Sequence, residues 1–439
     1  MMAIEKSRPM VASRTLEGDA RPAEVLAWAM FDFANSGYTT VVITAVFNAY
    51  FVAVIAGNAA WATFAWTAAL SVSYALILLT APVLGAYADL RAAKKRLLLI
   101  TTAGCVLGTA LLALTGPGTL ALAVVLLVAS NFCFGSGENL IAAFLPELAK
   151  GEALGRVSGW GWSLGYLGGL LTLGLCLGYV TWAQGHGEQA RQFVPVTMLI
   201  TAASFAVASR PTFLVLRERA LPAPVVPGEN LARAAFARLA QTVRQAARYR
   251  DLARFLVCIV FYQAGIQTVI ALAAIYAEQV LGFTTKDTIT LILVVNVTAA
   301  AGAFAFGHIQ DRLGHVRTIA LTLCLWIATT LIAWSATGSG LFWLAANLAG
   351  LCLGSSQSAG RALVGFLSPA DRLAEFFGLW GLAVKLSSIL GPITYGAVTW
   401  ATNGDHRFAM LVTGGFFVAG LLLLGGIDVA RGRRAAEES

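Results

Sequence analysis

Twelve long apolar stretches, separated by short polar loops, run through this chain of 439 residues. Each stretch is close to the roughly 20 residues that an α-helix needs to cross a bilayer, and the chain lacks the alternating pattern of membrane strands. Only 12% of the residues are charged, and the mean hydropathy is +0.76. These features exclude a soluble domain and predict an all-α polytopic membrane protein. The spans are predicted at 25–50, 63–88, 97–115, 120–144, 157–182, 193–216, 254–278, 288–309, 316–336, 341–366, 376–400 and 407–430.

One long polar segment separates the sixth span from the seventh and divides the chain into two groups of six. Within it, Ala235, Leu239 and Val243 recur at helical spacing among arginines. This pattern fits an amphipathic helix on an anionic membrane surface, and it equally fits a solvated linker helix. The predicted organisation is an N-terminal tail (1–24), a six-helix half (25–216), an arginine-rich linker (217–253), a second six-helix half (254–430) and a C-terminal tail (431–439).

The distribution of lysines and arginines predicts the orientation in the membrane. The loops after the odd-numbered spans contain only Arg191, Lys286 and Arg407, whereas the other loops and both tails contain nearly all the rest. The positive-inside rule therefore places both termini in the cytoplasm, and we expect a multi-pass protein of the inner (plasma) membrane. The net charge of +8 requires no nucleic-acid partner. The expected partners are the lipid bilayer and a small solute, with the protein acting as a monomer.

The two groups of six spans echo each other in sequence. Gly85 to Arg96 reads GAYADLRAAKKR, and Gly307 to Arg317 reads GHIQDRLGHVR, so Gly-x-x-x-Asp and a basic turn recur 222 residues apart. Further echoes, CFGSGEN with CLGSSQS and one Trp-Gly pair with another, recur at offsets of 219 and 220 residues. Nearly constant offsets indicate a duplicated six-helix unit that keeps one orientation in the membrane.

The paired Gly-x-x-x-Asp segments resemble the signature of the major facilitator superfamily, whose transporters consist of two six-helix halves. WAMFDFANSGYTTVVITAVF in span 1, RVSGWGWSLGYLGGLL in span 5, and GSSQSAGRALVGFLSP with EFFGLWGLAVKLSSILGP in spans 10 and 11 resemble the vacuole-effluxer-like family, which includes the fungal autophagy-related amino-acid effluxer. This resemblance implies that spans 1, 4, 7 and 10 surround a central cavity. The chain departs from the family pattern at Ile141-Ala142, where a Tyr-Asn pair is usual, and at Gln263-Ala264, where Asp-Gly is usual.

Span 1 carries a carboxylate at membrane depth. Asp32 is followed by Asn35, Ser36 and Thr39 at steps of three, four and seven residues, so the four side chains share one helical face. A charge at the centre of a membrane helix costs at least about 2.5–3.5 kcal/mol unless it faces protein or water. We expect this face to line the cavity, with Asp32 as the first choice for coupling transport to a proton.

Three more ionisable side chains lie at similar depth: Glu138 on span 4, Arg361 on span 10 and Lys385 on span 11. At 1.5 Å per residue they lie roughly 8–14 Å from the cytoplasmic ends of their helices. Either these groups bind a small polar or zwitterionic solute and exchange a proton, or they form salt bridges that hold the cytoplasmic gate closed. Three neutral side chains are further candidates for binding the solute, namely Gln263, Gln267 and Gln357. Alternatively, they only form hydrogen bonds between helices.

The two Gly-x-x-x-Asp motifs supply candidates for gating. By fold analogy, Asp89 and Asp311 approach the start of a helix in the opposite half, where unpaired amides and the helix dipole favour a carboxylate by about 0.3–2 kcal/mol. Such contacts would stabilise the state that is closed on the cytoplasmic side. The same group of candidates includes the motif glycines and the basic residues of both turns, which alternatively serve only as positive-inside anchors: Gly85, Arg91, Lys94, Lys95, Arg96, Gly307, Arg312 and Arg317.

The sequence shows no chemistry of covalent catalysis. Its six cysteines are scattered singly and its four histidines form no cluster, so we predict no metal, no cofactor and no enzyme. The predicted function is secondary active transport of a small polar solute by alternating access, and the family resemblance implies amino-acid efflux. Two alternatives remain: a permease for peptidoglycan fragments or another metabolite, and a non-transporting membrane sensor or scaffold.

Overall fold

The computed structural model describes residues 20–57, 59, 61–149, 151, 153–222, 248–283 and 285–438. The predicted linker helix and most of the predicted N-terminal tail lie outside these residues. Within them, twelve helices are long and apolar enough to cross a membrane. Spans 1–6, the first half, are Pro22–Ile55, Phe64–Arg91, Lys94–Leu114, Leu120–Leu148, Ala153–Gly185 and Ala190–Val215. Spans 7–12, the second half, are Arg250–Ala271, Thr290–Leu313, His315–Ser335, Ser339–Leu367, Ala370–Ala401 and His406–Leu424.

The two halves meet through four main helices. Span 2 packs against span 11 and span 5 against span 8, whereas spans 3, 6, 9 and 12 pack mainly within their own halves. This arrangement confirms the predicted all-α fold of twelve spans in two six-helix halves. Below, the terminal side is the side of the bundle where span 1 begins and span 12 ends, and the far side is the opposite one.

Span 1 is not one regular α-helix. An α-helix over Pro22–Tyr38 is followed by a π-helical segment over Thr39–Ala45, a short helix over Phe47–Tyr50 and a second π-helical segment over Phe51–Ile55. Because a π-helical turn contains more residues than an α-helical turn, the helical register changes after Tyr38. Asp32, Asn35 and Ser36 lie in the regular α-helix, whereas Thr39 is the first residue of the π-helical segment and is exposed.

Glycines bring the halves together on the terminal side. A Cβ atom added to Gly85 would lie 2.1 Å from the carbonyl oxygen of Ala374, and one added to Gly159 would lie 2.5 Å from that of Ala303. Only a hydrogen atom fits at these helix crossings. Farther along span 5, a Cβ atom on Gly174 would meet no atom within 4 Å.

The buried apolar residues form one core that the halves share and a second core within one half. One large cluster of buried residues includes members of both halves. A second cluster, near the far end of the second half, contains Tyr276, Leu291, Phe342 and Met410 and no residue of the first half. The halves therefore share a core towards the terminal side, and part of the second half has its own core towards the far side.

In each half, an ion pair joins the start of the first helix to the segment that follows the last membrane-spanning helix. In the first half, Arg219 Nη2 lies 2.8 Å from Glu24 Oε2. In the second half, Arg431 Nε donates to Asp251 Oδ2 at 2.7 Å and its Nη2 to Asp251 Oδ1 at 2.6 Å. Arg431 belongs to a helix over Val429–Glu437, most of which lies in the predicted C-terminal tail (431–439). These two ion pairs are called the clasps below.

Candidate solute-binding site

A buried ion pair joins span 1 of the first half to span 10 of the second. Arg361 Nη1 donates to Asp32 Oδ2 at 2.7 Å, and the two side chains are 4% and 11% exposed. This is the short geometry of a charge-assisted hydrogen bond. Two residues that the sequence predicted separately thus form one contact between the halves.

The surroundings of Arg361 hold its guanidinium group in place. Its Nε donates to Ser158 Oγ at 3.1 Å and its Nη2 to the Ser158 carbonyl at 2.9 Å. The rings of Trp28 and Trp162 lie 4.6 and 5.4 Å from the guanidinium carbon, which favours cation–π attraction. A Cβ atom on Gly161 would lie 2.5 Å from Asp32 Oδ2 and 2.6 Å from Arg361 Nη2, so only glycine leaves room for the pair.

A second ion pair also joins the halves, but it is looser. Lys385 Nζ on span 11 lies 3.5 Å from Glu138 Oε2 on span 4, with side chains 13% and 31% exposed. The ammonium group also lies 5.3 Å from the ring centroid of Tyr74 on span 2. The two ion pairs together bring four charged side chains from spans 1, 4, 10 and 11 to the contact between the halves, and they are called the four-charge cluster. Both carboxylates belong to the first half and both cations to the second.

The amide candidates contact each other. Gln263 Nε2 on span 7 donates to Gln357 Oε1 on span 10 at 2.6 Å, and both side chains are buried. Gln263 Oε1 is buried without a hydrogen-bond partner among the described residues. Gln267, one turn farther along span 7, is only half-buried. The contact between Gln263 and Gln357 fits the interpretation of a hydrogen bond between helices. Gln267 is more accessible than either of them.

The rest of the polar face of span 1 packs against span 5. Ser36 Oγ donates to the Asp32 carbonyl at 2.8 Å, and a Cβ atom on Gly165 would lie 3.0 Å from Ser36 Oγ. Asn35 is buried, with 6% of its surface exposed. Ser36 therefore contributes to helix packing, and within this face Asp32 makes the contact with the second half.

Asp89 and Asp311 both bind amides of the opposite half. Asp89 accepts hydrogen bonds from Ala374 N at 3.1 Å and Glu375 N at 2.9 Å, at the start of the span 11 helix. Asp311 Oδ1 accepts from Arg156 N at 3.1 Å, and its Oδ2 lies 3.2 Å from Arg156 Nε. Gly307 lies next to them, against the Gly155 carbonyl and the Gly159 Cα atom.

The two lysines of the first basic turn contact their own half. Lys94 is buried and pairs with Glu147, and Lys95 Nζ donates to the Leu216 carbonyl at 2.5 Å. Their role in gating stays a prediction. The other four basic residues are exposed, namely Arg91, Arg96, Arg312 and Arg317.

Removal of the Asp89 carboxylate is expected to weaken the terminal-side contact. Asp89→Ala leaves two helix-start amides without their acceptor, which typically costs about 0.5–2 kcal/mol. Hydrogen–deuterium exchange should therefore become faster in peptides covering 370–381.

Asp405→Ala is the matched control, because Asp405 Oδ1 accepts from Phe408 N at 2.9 Å at the start of span 12, within one half. It should leave exchange in 370–381 unchanged. Equal acceleration by both variants would show that the effect is general destabilisation.

The arrangement of spans is that of the transporters of the major facilitator superfamily. FucP of E. coli in the outward conformation superposes with a TM-score of 0.72 and 15% sequence identity, covering 93% of this chain and 98% of FucP. Residues 49–437 match the family described as "Vacuole effluxer Atg22 like". The chain therefore belongs to this family and is a transporter, which confirms the resemblance seen in the sequence.

Two relatives illustrate the family. The uncharacterised MFS-type transporter YxiO of Bacillus subtilis is 25% identical over 409 residues, which cover 91% of this chain and 93% of YxiO. Autophagy-related protein 22 of Saccharomyces cerevisiae (strain S288c) is 24% identical over 362 residues, covering 71% of this chain and 67% of the yeast protein. The similarity to YxiO spans nearly the whole chain.

Proposed function

We propose that this transporter moves a small zwitterionic solute, an amino acid, by alternating access. The observation that carries the proposal is the division of charge in the four-charge cluster. Asp32 and Glu138 of the first half face Arg361 and Lys385 of the second. An amino acid carries the same two charges as one such ion pair.

A zwitterion can replace the contacts between the halves. Its ammonium group satisfies Asp32 of the first half, and its carboxylate satisfies Lys385 of the second. Separating the halves without a solute would leave buried charges unpaired, a change that typically costs about 3–5 kcal/mol. A bound amino acid removes much of this penalty, and such differential binding is the only means by which a solute shifts a conformational equilibrium.

The charge distribution supports an orientation for the proposal. With the arginine-rich side in the cytoplasm, the closed terminal side is cytoplasmic, and the solute enters from the far side in this conformation. We place the protein in the inner (plasma) membrane as a monomer, with both termini in the cytoplasm. Transport in the efflux direction then requires the opposite conformation, in which the contacts of Asp89, Asp311 and the four-charge cluster are broken.

The test compares solutes that differ by one charge. The full chain is reconstituted in proteoliposomes, and counterflow is measured with each radiolabelled standard L-amino acid. For any amino acid that exchanges, the matched amine lacking the carboxylate and the matched acid lacking the ammonium group are tested as competitors. We expect each to compete at least about 30-fold less well, because an unmatched charged partner costs 2–5 kcal/mol.

Equal competition by the amine or by the acid would contradict recognition of a zwitterion. If no amino acid exchanges and a peptidoglycan fragment does, the alternative permease function is correct.

A further inference from the structure

We propose that Glu138 is the residue that takes up and releases a proton during transport, whereas Asp32 serves as the ion-pair partner of Arg361. This inference rests on the proposed transport function and adds the coupling ion to it. It also replaces the choice made from sequence, in which Asp32 was the coupling residue.

Asp32 is held in a tight ion pair. Its Oδ2 accepts from Arg361 Nη1 at 2.7 Å, and an arginine keeps its charge throughout the pH range in which proteins fold. Ser158 accepts two further hydrogen bonds from the same guanidinium group. A proton on Asp32 would therefore remove the countercharge of a buried cation that cannot itself become neutral.

Glu138 differs in distance, exposure and partner. Its Oε2 lies 3.5 Å from Lys385 Nζ, longer than the roughly 2.7–2.9 Å of a tight charge-assisted hydrogen bond. Its side chain is 31% exposed, against 11% for Asp32, so water reaches it more readily. Its partner is a lysine on a flexible stem, which can turn towards an incoming carboxylate.

The charged and titratable groups around Glu138 come from four other helices. Lys385 faces it from span 11, Asp32 from span 1 and Arg361 from span 10, while Tyr74 of span 2 lies beneath the lysine. Asp32 and Arg361 pair with each other, so Lys385 is the cation that pairs with Glu138. When a solute carboxylate occupies Lys385, Glu138 loses this countercharge and binds a proton from water. When the solute leaves, Lys385 returns and the proton is released to water.

The first experiment needs no solute. Infrared difference spectra of the purified full chain are recorded as the pH is lowered, and the carbonyl band of a protonated carboxylic acid is followed. We expect Glu138→Gln to remove a band that Asp32→Asn and the control Glu437→Gln retain. Glu437 is an exposed partner of Arg433 on the C-terminal helix, outside the four-charge cluster. The inference is overturned if Asp32→Asn loses the band, or if Glu138→Gln and Asp32→Asn both retain it.

Lys385→Gln provides a second variant if Glu138→Gln does not fold. Without its countercharge, Glu138 should protonate at a pH at least about one unit higher, so the band should appear earlier in the titration. An unchanged titration in Lys385→Gln contradicts the assignment.

The second experiment tests the consequence for transport. Counterflow of a radiolabelled amino-acid mixture is measured as a function of pH. Glu138→Gln should lose the pH dependence of the rate, whatever rate remains, whereas Asp32→Asn should keep the dependence of its residual rate. If no amino acid exchanges while the infrared band still depends on Glu138, the proposed solute is wrong and the proton site stands. If amino acids exchange and the band does not depend on Glu138, the proton site is wrong.

Discussion

Replacement of Arg361 by leucine is expected to open the terminal side and abolish coupled transport. The variant leaves Asp32 buried without a countercharge and removes the donors that bind Ser158. Loss of one partner from a buried ion pair typically costs about 3–5 kcal/mol. Since about 1.4 kcal/mol changes an equilibrium tenfold, the closed conformation should lose at least a hundredfold in relative population.

Hydrogen–deuterium exchange measures this shift directly. Amides in 153–161, 303–313 and 370–381, where the halves touch on the terminal side, should exchange faster in Arg361→Leu. Arg317→Leu is the control, because Arg317 is exposed on the same side. The double variant Asp32→Asn/Arg361→Leu should recover part of the protection, since it removes the unpaired charge. Protection equal to that of the unmodified protein in Arg361→Leu would show that this ion pair does not hold the halves together.

The second large effect is expected from one methyl group at Gly85. A Cβ atom there would lie 2.1 Å from the Ala374 carbonyl oxygen and 2.9 Å from the Glu375 Cα atom. These are backbone atoms, which no change of rotamer can move away. Spans 2 and 11 must separate, and Asp89 must then lose its hydrogen bonds to the same two residues. Such overpacking typically costs about 1–3 kcal/mol.

The matched control is Gly174→Ala in span 5, where a Cβ atom meets nothing within 4 Å. Alanine favours helix there by up to about 1 kcal/mol, so this variant should be as stable as the unmodified protein or more so. Gly85→Ala should show faster exchange in 370–381 and a shift towards the conformation that is open on the terminal side. The same exchange rates in both variants would mean that the crossing of spans 2 and 11 tolerates a methyl group.

The depth and sign of the charges could be predicted from sequence, because hydropathy and helical rise place each side chain along its own span. For this reason the sequence and the structure both place these four side chains at a similar membrane depth: Asp32, Glu138, Arg361 and Lys385. The pairing could not be predicted, since it depends on how the helices are rotated against one another. Ser158 and Trp162 belong to the span 5 segment RVSGWGWSLGYLGGLL, yet nothing in the sequence indicated that they contact an arginine of span 10.

Two local features were not predicted from the sequence patterns. The polar face of span 1 was assigned by constant α-helical periodicity, and a π-helical segment begins at Thr39. Lys94 was grouped with the other basic turn residues, although it is buried. Its position one turn before Leu98, which is also buried, was a usable signal that this lysine faces inward. A count of positive charges does not distinguish a surface anchor from a buried partner of Glu147.

The clasps have a consequence for how the chain is made. Glu24 and Arg219 enclose the first six spans, and both are synthesised before span 7 begins. The first half can therefore close on itself while the second half is still being translated, whereas the clasp of the second half needs Arg431, which follows span 12. Domains generally fold as units during synthesis, the N-terminal one first. The charged contacts between the halves then form last, between two units that are each already complete.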